Sequence, residues 1–266
     1  MSSQLSILHL TKSFEVGTPN EKVALDNFTL EVKRGEFITI LGSNGAGKST
    51  LFNAILGKFL PDAGKIFLDG ENITYLKDYQ RAANIGCLYQ NPLRGTAPNM
   101  TIEENLALAY TRNASKSFFA VNHKDSALFR DLLATLGLGL EDRMKTKMGL
   151  LSGGQRQAAS LLMATIAKPK LLLLDEHTAA LDPATSKKVL DVTGKIVAEN
   201  ALTALMITHD MNQALSFGSR TVMMDSGRLV LDIQGAERAG MTPRKLVELF
   251  SAKAGQSLSD RTMLSM

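Results

Sequence analysis

The sequence predicts an α/β protein built on a mostly parallel β-sheet, with a helical segment inserted in the middle of the chain. Apolar strand-like runs alternate with helix-like segments near the start and again after Pro169. Such alternation is typical of a parallel sheet, because parallel strands need a crossover connection. From about residue 100 to 166, apolar residues recur instead at helical spacing, with no clear strand among them.

The first part of the chain contains several strand-like runs and one helix. ILHL and FTLEV come first, and FITIL follows at 37–41. After Gly42 the apolar residues recur three and four apart, which predicts a helix that ends at Gly57, with Pro61 just beyond. KIFLDG then predicts another strand closed by a turn.

Beyond Pro169 the strand and helix signals alternate again. LLLLD predicts a strand, a helix starts near Asp182, and ALMITH predicts the next strand. A helix up to Gly218 is followed by the strands TVMM and RLVLD. Thr242 and Pro243 suit the N-cap and first position of a final helix that contains LVELF.

Composition narrows the class of protein. The chain of 266 residues has a net charge of +4, scattered along the sequence, and one cysteine, Cys87. A single cysteine excludes an internal disulfide framework, and no apolar run approaches the roughly 20 residues that cross a bilayer. The start MSSQLSILHL lacks the pattern of a signal peptide. We therefore expect a cytosolic protein that reaches a membrane only through a partner.

GSNGAGKS at residues 42–49 fits the phosphate-binding pattern G-x-x-x-x-G-K-[ST] and lies between a predicted strand and a predicted helix. Glycines let backbone amides approach phosphates at the helix start, Lys48 suits the β and γ phosphates, and Ser49 suits Mg²⁺. A glycine-rich turn without a ligand is the alternative. The residues predicted to contact a nucleoside triphosphate are Gly42, Ser43, Asn44, Gly45, Ala46, Gly47, Lys48, Ser49 and Thr50.

Two carboxylates end the predicted strand LLLLDE. In an open α/β sheet, ligands bind at this edge, and adjacent strand residues point to opposite sides. Asp175 fits a Mg²⁺ ligand and Glu176 a base that polarises the attacking water. His209 ends the next strand and can reach the same edge, and Gln90 lies in a loop. The alternatives are an acidic turn cap, a structural histidine and an ordinary loop residue.

LSGGQRQ, at 151–157, predicts a second helix start with an affinity for anions. Ser152 and Gln155 form the capping-box pattern S-x-x-Q, which leaves amides at the positive end of the helix dipole. A capped helix with glycines for close packing is the alternative. A nucleotide bound at the phosphate-binding loop 42–49 (the P-loop) could contact this helix start in the same chain only if the intervening helical segment folded back over the nucleotide.

Six motifs follow one another along the chain. They are GSNGAGKST, Gln90, LSGGQRQ, LLLLDE, AALD at 179–182 and His209. In this order they make residues 4 to about 235 resemble the nucleotide-binding subunit of an ATP-binding-cassette transporter. The resemblance implies a P-loop NTPase (RecA-like) core with a mostly parallel sheet, an N-terminal antiparallel β subdomain and an inserted α-helical subdomain.

The implied domains follow the motifs. The ATPase core takes residues 1–92 and 167–250, and the helical signalling subdomain that carries LSGGQ takes 93–166. The polar residues 251–266 are expected to form a loose tail.

The resemblance also implies that two copies pair head to tail, with each Mg-ATP held between the P-loop of one and the LSGGQ helix of the other. It assigns Phe14 to adenine stacking, although a core aromatic is the alternative, and Asp182 to communication across the dimer. It further makes His209 a contact of the γ-phosphate, and Gln90 a Mg²⁺ ligand that joins core and helical segment. The residues implied to hold the partner's ATP are Ser152, Gly153, Gly154 and Gln155.

One residue departs from the family pattern. His177 stands where most of the family has proline after the catalytic glutamate. Because Glu176 is intact, we expect ATP hydrolysis. We interpret His177 as a tolerated substitution, and the sequence does not decide how stiff the loop is without the proline.

DEHTAALD and NPLRGTAPNMTIEENLALA are similar to a bacterial branch of importer ATPases. That branch works with separate permeases and with substrate-binding proteins of the tryptophan or tyrosine type. The resemblance implies import of an amino acid or related solute, location on the cytoplasmic side of the membrane and no nucleic-acid partner. Export is one alternative. A soluble cassette acting on DNA or ribosomes is another, but those usually have tandem cassettes or a long coiled coil, and this chain has neither.

Overall fold

The computed structural model of the chain describes residues 3–113 and 123–254. Its strands are β1 (Ser3–Phe14), β2 (Lys22–Lys33), β3 (Phe37–Gly42), β4 (Ala63–Leu68), β5 (Glu71–Asn72), β6 (Ile85–Leu88), β7 (Leu171–Asp175), β8 (Ala204–Ile207), β9 (Arg220–Asp225) and β10 (Arg228–Gln234). Its α-helices are α1 (Lys48–Leu56), α2 (Asp78–Ala82), α3 (Ile102–Tyr110), α4 (His123–Ala134), α5 (Gly153–Thr165), α6 (Pro183–Glu199), α7 (Met211–Ser216), α8 (Gly235–Ala239) and α9 (Pro243–Ala254). The predicted α/β class is confirmed.

The chain divides into two compact units. The first is assigned to Met1–Arg81 and Leu202–Met266, and the second to Ala82–Ala201. The predicted helical segment 93–166 lies inside the second unit. The unit extends beyond this segment because it also contains β6 and β7, which pair with each other, and because β6 packs on α5. The domain boundaries inferred from the sequence stay a prediction.

The first unit begins with an antiparallel sheet in the order β2-β1-β4-β5. Strand β1 lies between β2 and β4, so that Ile7 is opposite Leu30 on one side and Ile66 on the other. All three side chains are buried. The antiparallel β part implied by the resemblance is therefore present, with buried residues paired across its strands.

Strand β3 is buried along its whole length, as a strand covered on both faces should be. It pairs in parallel with β8 and with β9. Strands β9 and β10 form an antiparallel hairpin. Ser226 and Gly227 connect them with φ values of +48° and +78°, as a two-residue hairpin turn of type I′ requires.

In the second unit, β6 and β7 pair in parallel, with Ile85 opposite Leu171. Helices α3, α4, α5 and α6 belong to the same unit, and α5 packs against α3, α4 and α6. Helix α3 starts with a capping box in which the Thr101 hydroxyl accepts from the Glu104 amide. Helices α3, α4 and α5 lie within the segment 93–166 that the sequence predicts to be helical. Between the end of α4 at Ala134 and the start of α5, however, the chain is mostly non-helical.

The final helix extends beyond its predicted end. Helix α9 continues to Ala254, four residues into the segment 251–266 that was expected to be loose. Leu246 and Phe250 are buried with Met223 and Ile233 in a core cluster, so the apolar face of α9 holds the helix to β9 and β10. The remainder of the predicted tail, 255–266, lies outside the described residues. Within the described ranges, no helix has the length and apolar character that crossing a bilayer requires.

Arg81 closes the C-terminal end of α1. Its Nη1 donates to the carbonyls of Ala54 (2.7 Å) and Ile55 (2.9 Å), Nη2 to that of Thr74 (2.7 Å), and Nε to that of Leu76 (3.0 Å). The side chain is only 2% exposed, and burial lowers the pKa of its guanidinium. A cation at this position donates to carbonyls of the last helical turn and opposes the negative end of the helix dipole.

We predict that Arg81→Met lowers the free energy of unfolding by about 2 to 4 kcal/mol, because buried carbonyls would lose their donors. Chemical denaturation followed by circular dichroism measures the change. The matched control is Arg143→Met at an exposed arginine, which should shift stability by less than about 0.5 kcal/mol. Equal stability of the two variants would contradict this role of Arg81.

Candidate functional site

The loop between β3 and α1 is a cradle built from backbone. Gly42, Gly45 and Gly47 have φ values of +152°, +83° and +100°, in the region that favours glycine. A Cβ atom on Gly42 would come within 2.3 Å of the Met224 carbonyl oxygen, and one on Gly47 within 2.4 Å of the Ala24 carbonyl oxygen. The loop therefore has this shape only with glycine at both positions.

Lys48 begins α1, and its ammonium group lies inside this loop. The Nζ donates to the carbonyls of Gly42 (2.6 Å) and Ser43 (2.9 Å), and the side chain is 7% exposed. The loop residues Ser43 to Gly45 and the Ser49 side chain are at least partly exposed. A helix start, a loop with glycine at three positions and a fixed positive charge suit a polyphosphate. The residues present therefore fit the phosphates of a nucleotide.

Phe14 ends β1 with 38% of its surface exposed, which argues against the alternative of a core aromatic. Its ring meets Phe59 edge to face, with centroids 5.4 Å apart. The Lys12 Nζ lies 5.6 Å from the Phe14 centroid and pairs with Asp62. The ring is thus held in place with part of its surface free to stack on a flat ligand.

His209 follows β8 and precedes α7, whose N-cap is Asp210. Strands β3 and β8 are parallel neighbours with Ile40 opposite Ile207. Gly42 is the last residue of β3 and His209 follows β8, so both lie at the C-terminal ends of adjacent strands. This is the edge at which α/β sheets bind their ligands.

In the second unit, the structure brings Gln90 and Glu176 together. The Gln90 Nε2 donates to the Glu176 Oε2 at 3.4 Å. Strand β7 ends at Asp175, and Glu176 has a φ of +43°. The expectation that the pleat alone turns the two carboxylates apart is therefore incomplete, because Glu176 has already left the strand. The direction of the Glu176 side chain therefore depends on the left-handed backbone conformation of this residue and not on the strand pleat.

Three side chains carry the oxygen donors proposed for Mg²⁺, those of Ser49, Gln90 and Asp175. A hydroxyl, an amide oxygen and a carboxylate are the hard ligands that Mg²⁺ prefers, so their chemistry fits this ion.

Helix α5 begins as the sequence predicts. The Ser152 hydroxyl accepts from the Gln155 amide, and the Ser152 amide donates to the Gln155 Oε1, both at 3.3 Å. Ser152 and Gly153 are exposed at the helix start. Gly154 is buried, and a Cβ there would come within 2.0 Å of the Thr185 Cγ2. The glycine needed for close packing is thus Gly154, whereas Ser152 and Gly153 are open to a ligand.

Asp182 is the N-cap of α6, and its Oδ1 accepts from the Thr185 amide at 3.1 Å. Hydrogen bonds from the Thr185 hydroxyl and amide lower the pKa of the Asp182 carboxyl. Asp182 therefore has a local capping role, whatever it does across a dimer.

The sequence interpretation missed Gln157. This residue is 1% exposed, and its Nε2 donates to the Tyr89 carbonyl at 3.1 Å, directly before Gln90. It ties α5 to the loop that carries Gln90. A polar residue two positions after Gln155, at a place where the helix pattern turns apolar, was the available signal.

Comparisons with known proteins identify the family of this chain. Residues 25–179 match the family described as ABC transporter. The chain is 43% identical over 252 residues to the tyrosine transport ATP-binding protein of Clostridioides difficile, covering 92% of this chain and 98% of that protein. It is 31% identical over 262 residues to an aliphatic sulfonates import ATP-binding protein of Nocardia farcinica, covering 97% of this chain and 94% of that protein.

Among solved structures, the chain resembles a dimeric ATP-binding cassette in a post-hydrolysis state, bound to ADP and Pi. The two share a TM-score of 0.76 and 28% identity, over 86% of this chain and 98% of that one. The fold and family expected from the ordered motifs are thereby confirmed. The chain belongs to the ABC transporter family as an ATP-binding subunit, the ATPase that powers a membrane transporter.

Proposed function

We propose that two copies of this subunit pair head to tail around two Mg-ATP and drive import of an amino acid or related small solute through separate permease subunits. The observation that carries the nucleotide role is the cradle at 42–48, where Gly42 and Gly47 have no room for a side chain and two loop carbonyls hold the Lys48 ammonium group. The exposed start of α5 supports the pairing, because it offers a second place for phosphate.

In this proposal the loop amides and Lys48 hold the β and γ phosphates, with Thr50 as a further contact and Phe14 against adenine. Ser49, Asp175 and Gln90 hold Mg²⁺. When bound, the ion supplies positive charge against the phosphate oxygens. His209 contacts the γ-phosphate from the end of β8.

Glu176 is the proposed base that orients and polarises the attacking water. The Gln90 amide donates to the Glu176 carboxylate, which supports a shared role for these two side chains at the attacking water. Gln90 also follows the residue held by Gln157, which supports its role as the connection between helical segment and catalytic residues.

Across the pair, Ser152, Gly153, Gly154 and Gln155 of each copy contact the nucleotide held by the other, and Asp182 lies near the junction. A ligand bound only by the closed pair at 100 times its dissociation constant stabilises closure by about 2.7 kcal/mol per site. Hydrolysis removes this stabilisation, and the pair opens. That cycle moves the permease.

The proposed class of solute is inferred from the names of the related proteins. The Clostridioides difficile protein is named for tyrosine transport, which supports an amino acid or related molecule. The Nocardia farcinica protein is named for import, which favours import over export. The permease and an extracytoplasmic substrate-binding protein would select the solute, and the subunit would lie on the cytoplasmic face of the membrane.

We predict that Lys48→Ala lowers ATP turnover by about 10²- to 10³-fold, because a charged donor to the transferred phosphate is lost. A phosphate-release assay measures it. Lys58→Ala is the matched control, since this exposed lysine at the other end of α1 pairs only with Asp78 among the ion pairs described. Wild-type turnover in Lys48→Ala would rule out the proposed cradle.

We predict that Glu176→Gln binds ATP but does not release phosphate, because the amide cannot accept the water's proton. The variant should therefore accumulate as a closed dimer in size-exclusion chromatography with Mg-ATP. With ADP in place of ATP the same variant should elute as a monomer. A monomer in Mg-ATP would contradict the nucleotide-held pair.

A further inference from the structure

The loop from Glu176 to Asp182 connects β7 to α6 through two tight turns. The Glu176 carbonyl accepts from the Ala179 amide (3.0 Å), and the Thr178 carbonyl accepts from the Leu181 amide (3.1 Å). Glu176 itself has a φ of +43°, which is uncommon for a residue other than glycine. Such a conformation persists where the surroundings over-determine it, so this turn requires an anchor.

The Gln90 contact is a weak anchor by itself. At 3.4 Å, the bond from its Nε2 to the Glu176 Oε2 is longer than the usual range for N–H···O bonds. The backbone of its own turn is a further determinant of where the Glu176 carboxylate lies.

The residue after Glu176 supplies a firmer attachment. His177 is 3% exposed, and its Nε2 lies 3.2 Å from the Thr193 Oγ1, on the third turn of α6. Thr193 is completely buried. The bond thus joins the turn that carries Glu176 to the interior of a helix of 17 residues.

The direction of this bond follows from a second contact of Thr193. Its Oγ1 lies 2.8 Å from the Val189 carbonyl oxygen, which can only accept. The single hydroxyl proton is therefore used toward Val189, and Oγ1 must accept from the Nε2–H of His177. Burial lowers the pKa of His177 to about 4, in agreement with a neutral ring at neutral pH.

We propose that His177 is a positioning residue for Glu176, and that its hydrogen bond to Thr193 holds the turn in the geometry that hydrolysis requires. This inference rests on the proposed role of Glu176 as the base. The family pattern that the sequence resembles has proline at this position, which stiffens a turn through its ring and has no donor. Here a side-chain bond to α6 does the stiffening, whereas a merely tolerated substitution would leave turnover independent of that bond.

The direct test removes the acceptor. We expect Thr193→Val in the full chain to lower kcat by about 10- to 100-fold, because small displacements of a catalytic group are costly. The KM for ATP should stay within about twofold, because no nucleotide contact is lost. Thr165→Val is the matched control, since Thr165 is also buried and bonds the carbonyl four residues earlier. Its kcat should match that of the wild type.

Substitutions at His177 separate the bond from packing. His177→Gln keeps an N–H donor and should retain most of the turnover, whereas His177→Phe keeps the bulk without a donor and should lose as much as Thr193→Val. The double variant His177→Phe with Thr193→Val should be no slower than either single variant, because both remove the same interaction. Thermal unfolding of each variant sets an assay temperature at which all are folded.

Three outcomes would overturn the proposal: wild-type kcat in Thr193→Val, an equal loss in Thr193→Val and Thr165→Val, or equal activity of His177→Gln and His177→Phe. Wild type and Glu176→Gln are assayed alongside. If Glu176→Gln hydrolyses ATP as fast as wild type, the role of Glu176 fails and this inference with it. If Glu176→Gln is inactive while Thr193→Val is normal, only the positioning role of His177 is refuted.

Discussion

The interaction on which the rest of this structure depends is the one between backbone amides at the start of a helix and a phosphate group. In the described part of the chain, we propose this interaction for two helix starts, those of α1 and α5. Each is shaped differently. At α1 the glycine loop and Lys48 provide a deep cradle with a fixed charge, whereas at α5 the Ser152 capping box presents an open and exposed helix end. One therefore suits a tightly held nucleotide, and the other suits a contact made and broken in each cycle.

Much of the surrounding structure keeps these helix starts in place. Gly42 and Gly47 lie so close to neighbouring carbonyls that neither position admits a side chain, and Arg81 donates to carbonyls at the far end of α1. At α5, Gly154 allows close packing against Thr185 of α6. Helix α6 in turn receives the bond from His177, so it serves both the second helix start and the turn of Glu176.

The features that follow from local pattern could be predicted from the sequence. The glycine loop between strand and helix, the Ser152 capping box and the acids after β7 depend on spacing within a few residues. Features that depend on tertiary contacts could not. Gln157 meets Tyr89 across 68 positions, and His177 takes its partner from a different element. The positive φ of Glu176 also reflects its surroundings, because no local pattern at this position calls for it.

The central claim is that each ATP is held by the P-loop of one copy and the α5 start of the other. Mixing Lys48→Ala chains with Ser152→Arg chains tests it most directly, with phosphate release as the measurement. Each variant alone should be inactive, since every composite site in it carries a defect. A mixed pair has one site with both defects and one that is intact, so mixing should restore turnover. A mixture no more active than its components would contradict the account.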